Sequence, residues 1–225
     1  MFRSSALGLA LLSAIATAQA NSNAIPAPTL STRVIISVRE QKLMLLENGS
    51  VAATYPVSTS KYGLGDAWGS FSTPLGLLQV VQKIGDNAPV GAVFHNRRWT
   101  GEILRPNTPG RDPIMTRIIW LRGLQASNAH AFNRCIYIHG TNEEKLLGRP
   151  ASFGCIRMKS VDVAALYSQL PLGTPVEILN DGLPKASRMV DPEVYGFDSP
   201  ASNSGLRKDK ASSQIKVASG SRASS

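Results

Sequence analysis

A mainly β, sandwich-like fold with one clear helix is predicted. Three observations predict it: short β-branched runs recur across residues 33–179, an Asn48-Gly49 pair separates two of them, and helical spacing is clear only after residue 160. Residues 33–38 (RVIISV) read as the first strand. Residues 42–46 and 51–58 follow as two more, joined at Asn48-Gly49, the strongest two-residue hairpin signal because both turn positions need positive φ. Residues 77–84 and 114–121 are further β-rich runs. Between them, residues 87–112 are dense in Pro and Gly and read as a loop. Residues 134–140 are another strand. Ser160 is placed to cap a helix, with Asp162 in its first turn and Val163, Leu166 and Leu170 at helical spacing. Pro171 and Gly173 stop it, and residues 174–179 (TPVEIL) close the core as a strand.

The two ends read differently. Arg3, an uncharged apolar stretch over residues 6–15 and the small-x-small run Ala18-Gln19-Ala20 form a signal-peptide pattern over residues 1–20. The apolar stretch is half the roughly twenty residues that a membrane span needs, so no transmembrane segment is expected after signal removal. No cysteine follows it, which excludes lipid attachment at a new N-terminal Cys. Residues 21–32 read as a linker, residues 33–182 as the folded domain and residues 183–225 as a C-terminal extension. The last part of that extension is rich in Ser, Ala, Gly and Lys and is expected to be disordered. The net charge is +9, and Arg207, Lys208, Lys210, Lys216 and Arg222 against Asp209 place nearly half of it there. No aromatic-basic interleaving or zinc-finger spacing points to nucleic acid. The expected location is outside the cytoplasm, in the periplasm or cell wall, where a basic tail meets anionic polymer or headgroups or is simply a solvated linker.

Chemistry is narrowed by scarcity, for the chain has three histidines and two cysteines. His139 ends a strand in Ile138-His139-Gly140-Thr141, and Cys155 follows sixteen positions later in Ser152-Phe153-Gly154-Cys155-Ile156-Arg157. A nucleophilic thiol needs a base, since the free group titrates near 8.5, and a histidine on a strand end is rigid enough to supply one. Glycines beside both residues allow close approach of substrate, and backbone N–H groups there suit an oxyanion. The helix beginning near Ser160 adds a field favouring negative charge. A structural Cys135–Cys155 disulfide is the competing reading in an exported protein. Strand alternation opposes it: Cys135 and His139 share a face but lie roughly 13 Å apart, so a Cys155 near His139 is out of bridging range. Spacing alone leaves both readings open. Structural zinc is weaker, because its usual ligands are not clustered, so neither a metal nor another cofactor is expected. His95 and His130 lie in loop-like sequence and read as surface histidines.

The stretch around His139 and Cys155 resembles the L,D-transpeptidase catalytic domain (the YkuD-like family), which carries a histidine, an interval like the one here, then Ser/Thr-His-Gly-Cys. The likeness extends over residues 33–179. It includes Ser72-Thr73-Pro74-Leu75-Gly76, similar to the family's Thr-Pro-x-Gly turn, and the closing Ser160-Val161-Asp162-Val163, Leu166-Tyr167 and Gly173-Thr174-Pro175-Val176 run. The resemblance favours the nucleophile reading over the disulfide. It implies a β-rich sandwich-like fold with the cysteine in a cleft under a lid; residues 90–113, with Arg97, Arg98 and Arg111, read either as that lid or as a plain solvated loop. It also implies attack on the carbonyl after the third residue of a peptidoglycan tetrapeptide stem, release of the terminal D-alanine, and transfer of the acyl group to an amine.

By position, the resemblance makes Cys155 the nucleophile, His139 the base, the Gly140 carbonyl the group that orients the imidazole, and the Gly154 and Cys155 amides the oxyanion hole. Ser152 supports the turn, and Arg157 faces substrate carboxylates. The acceptor is a second stem peptide or an amine-bearing, wall-anchored protein. One departure stands out: Phe153 occupies the position of the family's second histidine, so a ring walls the cleft where an imidazole is expected. Water as acceptor makes the enzyme an L,D-carboxypeptidase. A catalytically silent wall-binding protein is the alternative from another class.

Overall fold

The computed structural model describes residues 32–185, so the expected signal peptide, nearly all of the expected linker and all but the start of the expected C-terminal extension lie outside the described residues. The chain begins with β1 (Thr32–Ser37), β2 (Lys42–Glu47) and β3 (Ser50–Pro56), an antiparallel meander. The β2–β3 turn has Asn48 at φ 52° and Gly49 at φ 76°, the left-handed pair that the sequence predicts for a tight hairpin. Val34 and Ile36 point into the main core while Ile35 joins Met44 and Leu46 on the opposite face, so β1 is buried on both sides.

Then come β4 (Gly76–Ile84), β5 (Ala92–His95), β6 (Arg98–Ile103), β7 (Ile114–Gly123), β8 (Tyr137–Thr141), β9 (Ile156–Met158), α1 (Ser160–Gln169) and β10 (Pro175–Leu179). They join one continuous sheet in the order β3-β2-β1-β10-β4-β7-β5-β6, with β8 and β9 branching from β7. Past the end of β3, the backbone of Ser58 exchanges hydrogen bonds with Arg157 at 3.0 and 2.9 Å. The sheet thereby curls so that its first strands meet its last branch. Inside the curl, residues of β1, β2, β4, β7, β8, β9 and β10 pack with Val163, Leu166, Tyr167 and Leu170 around α1.

Four expectations change. The predicted loop at residues 87–112 contains the β5–β6 hairpin; β6 is exposed along its whole length, which erased the alternation that marks a half-buried strand. The strand expected at residues 134–140 starts only at Tyr137, because Cys135 has φ 58° and ends a turn. The N-cap of α1 is Lys159 rather than Ser160. Its first free amide, that of Ser160, is bonded by the Glu144 carboxylate at 2.9 Å. The positive end of the helix therefore already holds an anion instead of standing free to favour a thiolate.

Candidate active site

Parallel pairing of β8 with β9 sets the site. Ile138 stands beside Ile156 and His139 beside Arg157, so Cys155, one residue before β9, stands beside Tyr137. Side chains of paired residues share a face. The two isoleucines enter the main core, while Tyr137 and Cys155 pack with Phe94, Ile118 and Trp120 in a second cluster. By alternation His139 and Arg157 lie on the same side as that cluster. Two segments distant in sequence are thus held side by side by backbone hydrogen bonds.

The imidazole of His139 is buried, and its Nδ1 lies 2.8 Å from the carbonyl oxygen of Gly140. A carbonyl only accepts, so Nδ1 carries the proton and Nε2 is left with its lone pair. Burial lowers the pKa of His139 to about 4, although the Gly140 bond opposes the shift; Arg157 lowers it further and Asp112 raises it. Gly140 is required here for close packing, since a Cβ at that position would lie 2.7 Å from the Met115 carbonyl oxygen.

Cys155 is half-buried, and its thiol lies between two backbone groups. The Tyr137 N–H donates to Sγ at 3.4 Å, and the S–H donates to the Cys135 carbonyl at 3.3 Å. No hydrogen bond joins the thiol to His139 among the described residues. Burial raises the thiol to about 11, against a smaller lowering by the Tyr137 amide. At neutral pH the resting pair is therefore an uncharged thiol and an uncharged imidazole. Both cysteines are free. The separation expected from strand alternation does not hold, however: the turn at Cys135 brings its backbone against the Cys155 sulfur.

The loop before Cys155 is tied down on every side. Ser152 Oγ donates to the Cys155 carbonyl at 2.6 Å and accepts the Gly154 N–H at 3.2 Å. Gly154 sits at φ 119°, a left-handed region that strains any side chain, and its carbonyl accepts from Thr73 Oγ1 at 2.9 Å. That threonine belongs to the Thr73-Pro74-Leu75-Gly76 turn. Phe153 is 53% exposed and its ring meets Tyr62 at 5.5 Å and Phe71 at 5.9 Å, with Lys61 Nζ 4.6 Å from its centroid.

Arg157 is buried, and its guanidinium is engaged by the Asp112 carboxylate and by the Ala151 carbonyl at 3.2 Å. Asp112 also accepts from Thr141 Oγ1 at 2.7 Å. The segment leading to it is held by Asn142, whose Nδ2 donates to the carbonyls of Thr108 and Arg111. A second buried pair, Arg134 with Asp66 at 2.7 Å, anchors the loop over residues 65–72; Arg134 also donates to the carbonyls of Gly65, Ser70 and Ser72. Sequence reasoning missed Asp66, Asp112, Arg134 and Asn142. Only Asn142, two residues past the His-Gly pair, lies near enough to a motif to have drawn notice. His130 meets Asp66 and Trp68, and His95 is exposed. Among the described residues no three His, Cys, Asp or Glu side chains group to hold a metal, and no helix is long and apolar enough to cross a membrane.

The curled sheet thus sets a histidine strand beside a Gly-Cys turn. The L,D-transpeptidase catalytic domain family model matches residues 31–178, and the chain belongs to this family. It is 28% identical over 167 residues to a probable L,D-transpeptidase, YcfS, of Escherichia coli (strain K12), covering 70% of this chain and 48% of that protein. It is 29% identical over 148 residues to a putative L,D-transpeptidase, YqjB, of Bacillus subtilis (strain 168), covering 66% of this chain and 71% of the relative. The chain thus spans about half the length of YcfS. Among solved structures, an L,D-transpeptidase from Mycobacterium tuberculosis H37Rv aligns with TM-score 0.43 and 15% identity, over 66% of this chain and 57% of that one.

Proposed function

We propose that this chain is an exported peptidoglycan L,D-transpeptidase in which Cys155 is the nucleophile and His139 the base. The observation that carries the reading is the Nδ1–Gly140 bond of 2.8 Å, which leaves Nε2 as the basic nitrogen on the face that Cys155 shares. In the donor step, His139 Nε2 takes the thiol proton as Sγ attacks the carbonyl after the third residue of a tetrapeptide stem. The C–N bond then breaks, and the departing D-alanine amine takes that proton from the imidazolium. The thioester is attacked by an amine of a second stem or of a wall-anchored protein, which yields its proton to His139 as Sγ leaves and is reprotonated.

The neutral resting pair suits a site in which charge develops only once substrate is bound. With the thiol near 11 and the imidazole near 4, the thiolate–imidazolium form is a minor species in the free protein. Substrate must supply the carbonyl that accepts the thiol's electrons as the proton moves. In the oxyanion role, the Gly154 amide is already partnered by Ser152 Oγ at 3.2 Å and must exchange that weak bond for the developing oxyanion. The roles of Ser152 and Phe153 are to hold the turn and to wall the cleft.

The test is incubation of the mature protein with purified tetrapeptide muropeptides, with and without an acceptor amine, followed by mass spectrometry. Crosslinked product with loss of one D-alanine is expected. Tripeptide as the only product identifies water as the acceptor, and no change with either substrate removes the enzyme reading.

A further inference from the structure

We propose that Arg97 and the buried hydroxyl of Tyr137 form a carboxylate subsite beside Cys155, which takes the C-terminal carboxylate of the donor peptide. The inference rests on the transpeptidase reading above and names a residue that determines donor specificity within it. Arg97 sits at the tip of the β5–β6 hairpin in a two-residue turn, with Asn96 at φ 47° and Arg97 at φ 63°. Glycine is the residue that such a turn favours at its second position, and an arginine there accepts backbone strain. Its side chain does not extend into solvent alone. The guanidinium carbon lies 5.2 Å from the centroid of Trp120, and Nη1 lies 3.9 Å from Cys135 Sγ.

Below it is Tyr137, 3% exposed, whose buried hydroxyl faces the Arg97 guanidinium and the Cys135 thiol but makes no hydrogen bond of good geometry. A buried hydroxyl left in that state is costly and is expected to meet a polar group in the working complex. The same residue's backbone N–H touches the Cys155 sulfur at 3.4 Å, and the Cys135 carbonyl accepts from that sulfur at 3.3 Å. Arg97 therefore contacts the side chains, and the thiol the backbone, of the same two residues. In the donor, the terminal carboxylate lies one residue beyond the scissile carbonyl, a step of about 3.8 Å between Cα atoms.

Four other cations near the site are already engaged. Arg157 is paired with Asp112, Arg134 with Asp66 and Arg111 with Glu102, and Lys61 lies over the Tyr62 and Phe153 rings. Arg97 has no acidic partner among the described residues. A planar fork over an aromatic floor with one hydroxyl beneath it suits a carboxylate, which accepts two parallel N–H bonds and a third from the phenol.

The test compares a tetrapeptide donor as its free acid, as its C-terminal carboxamide, and as a free acid with the side-chain carboxylate of the third residue amidated. Wild type is expected to favour the free acid over the C-terminal carboxamide by about ten- to a hundredfold in kcat/KM, the range of a charge-assisted hydrogen bond. In Arg97→Ala that ratio falls to about one, in Arg97→Lys it is partly restored, and in Tyr137→Phe it drops without loss of folding. If wild type handles acid and carboxamide equally, or Arg97→Ala keeps the ratio, the subsite is wrong and the enzyme reading survives. A ratio in Arg97 variants that follows the side-chain amide instead also overturns the assignment. If wild type processes none of the three donors, both readings fall.

Discussion

Thr73 Oγ1 donates to the carbonyl of Gly154 at 2.9 Å, joining the Thr-Pro-x-Gly turn to the cysteine loop across 81 residues of chain. The same oxygen accepts the Ser60 N–H at 3.0 Å, so one buried hydroxyl holds two loops. Thr73→Val keeps the shape and leaves both backbone groups unpaired. It is expected to destabilise the protein by about 2–3 kcal/mol, while Thr73→Ser costs about 1 kcal/mol or less. Urea denaturation of the two variants measures the difference, and an equal cost for both shows that lost packing, rather than the hydroxyl, is what matters.

The Arg134–Asp66 pair has both side chains nearly inaccessible, at 6% and 4% exposure. Removing one partner strands a buried charge, so Arg134→Met is expected to cost about 3–5 kcal/mol. Adding Asp66→Asn to it should recover part of that loss. A double-mutant cycle by chemical denaturation reads the coupling, and strictly additive effects contradict a direct pairing.

Burial holds His139 at about 4, well below its ordinary 6.5. Between those values the unfolded chain takes up a proton and the folded chain does not. Stability is therefore lost as pH falls from about 6.5 to about 4, by roughly 3 kcal/mol from this group alone. Other groups also titrate there, so the measured quantity is the difference between wild type and His139→Gln across that window. Parallel pH curves for the two proteins would show that His139 is not the group responsible.

The thiol of Cys155 is pushed up to about 11 by burial. Alkylation by iodoacetamide at Cys155 is accordingly expected to be slow at neutral pH and to rise toward pH 11. A carbapenem, whose carbonyl engages the proposed acyl-transfer machinery, should instead form an adduct on Cys155 near neutral pH. That adduct should be absent in Cys155→Ala and slow in His139→Ala. Peptide mapping by mass spectrometry identifies the labelled residue, and an adduct on Cys135 reverses the assignment.

Phe153 carries no titratable group and packs with Tyr62 and Phe71 beside the cysteine loop. Phe153→His is expected to change the carbapenem acylation rate by less than about a hundredfold, while His139→Ala costs more than that. Stopped-flow rates across pH compare the three proteins. A gain of several orders of magnitude in Phe153→His points to a silent wall-binding protein in place of an enzyme.

Much of the β framework was legible because its signals are local. Asn48-Gly49 adopts positive φ, and β-branched runs make strands whatever lies far away in the chain. Gly154 likewise takes its positive φ inside its own turn, whereas the close approach at Gly140 is to the Met115 carbonyl on another strand. The β5–β6 hairpin was hidden because an exposed strand has no face to bury and so no alternation to read. Ser160 is the first helical residue rather than the cap, because the helix begins one position earlier and Ser160's own amide is taken by Glu144, sixteen residues back in the chain.

By itself, then, the sequence determined the strand-rich class, the helix after Cys155 and the pair of motifs that place this chain in its family. Tertiary structure alone decided that Cys135 turns its carbonyl onto the thiol, that Asp112 neutralises Arg157, that Arg134 spends its donors on Asp66 and three carbonyls, and that Arg97 overhangs Tyr137. The physical reason is range. Backbone preferences act between neighbours in the chain, whereas desolvation and charge pairing depend on which distant segments the curled sheet brings together, and these set the charge state of the site.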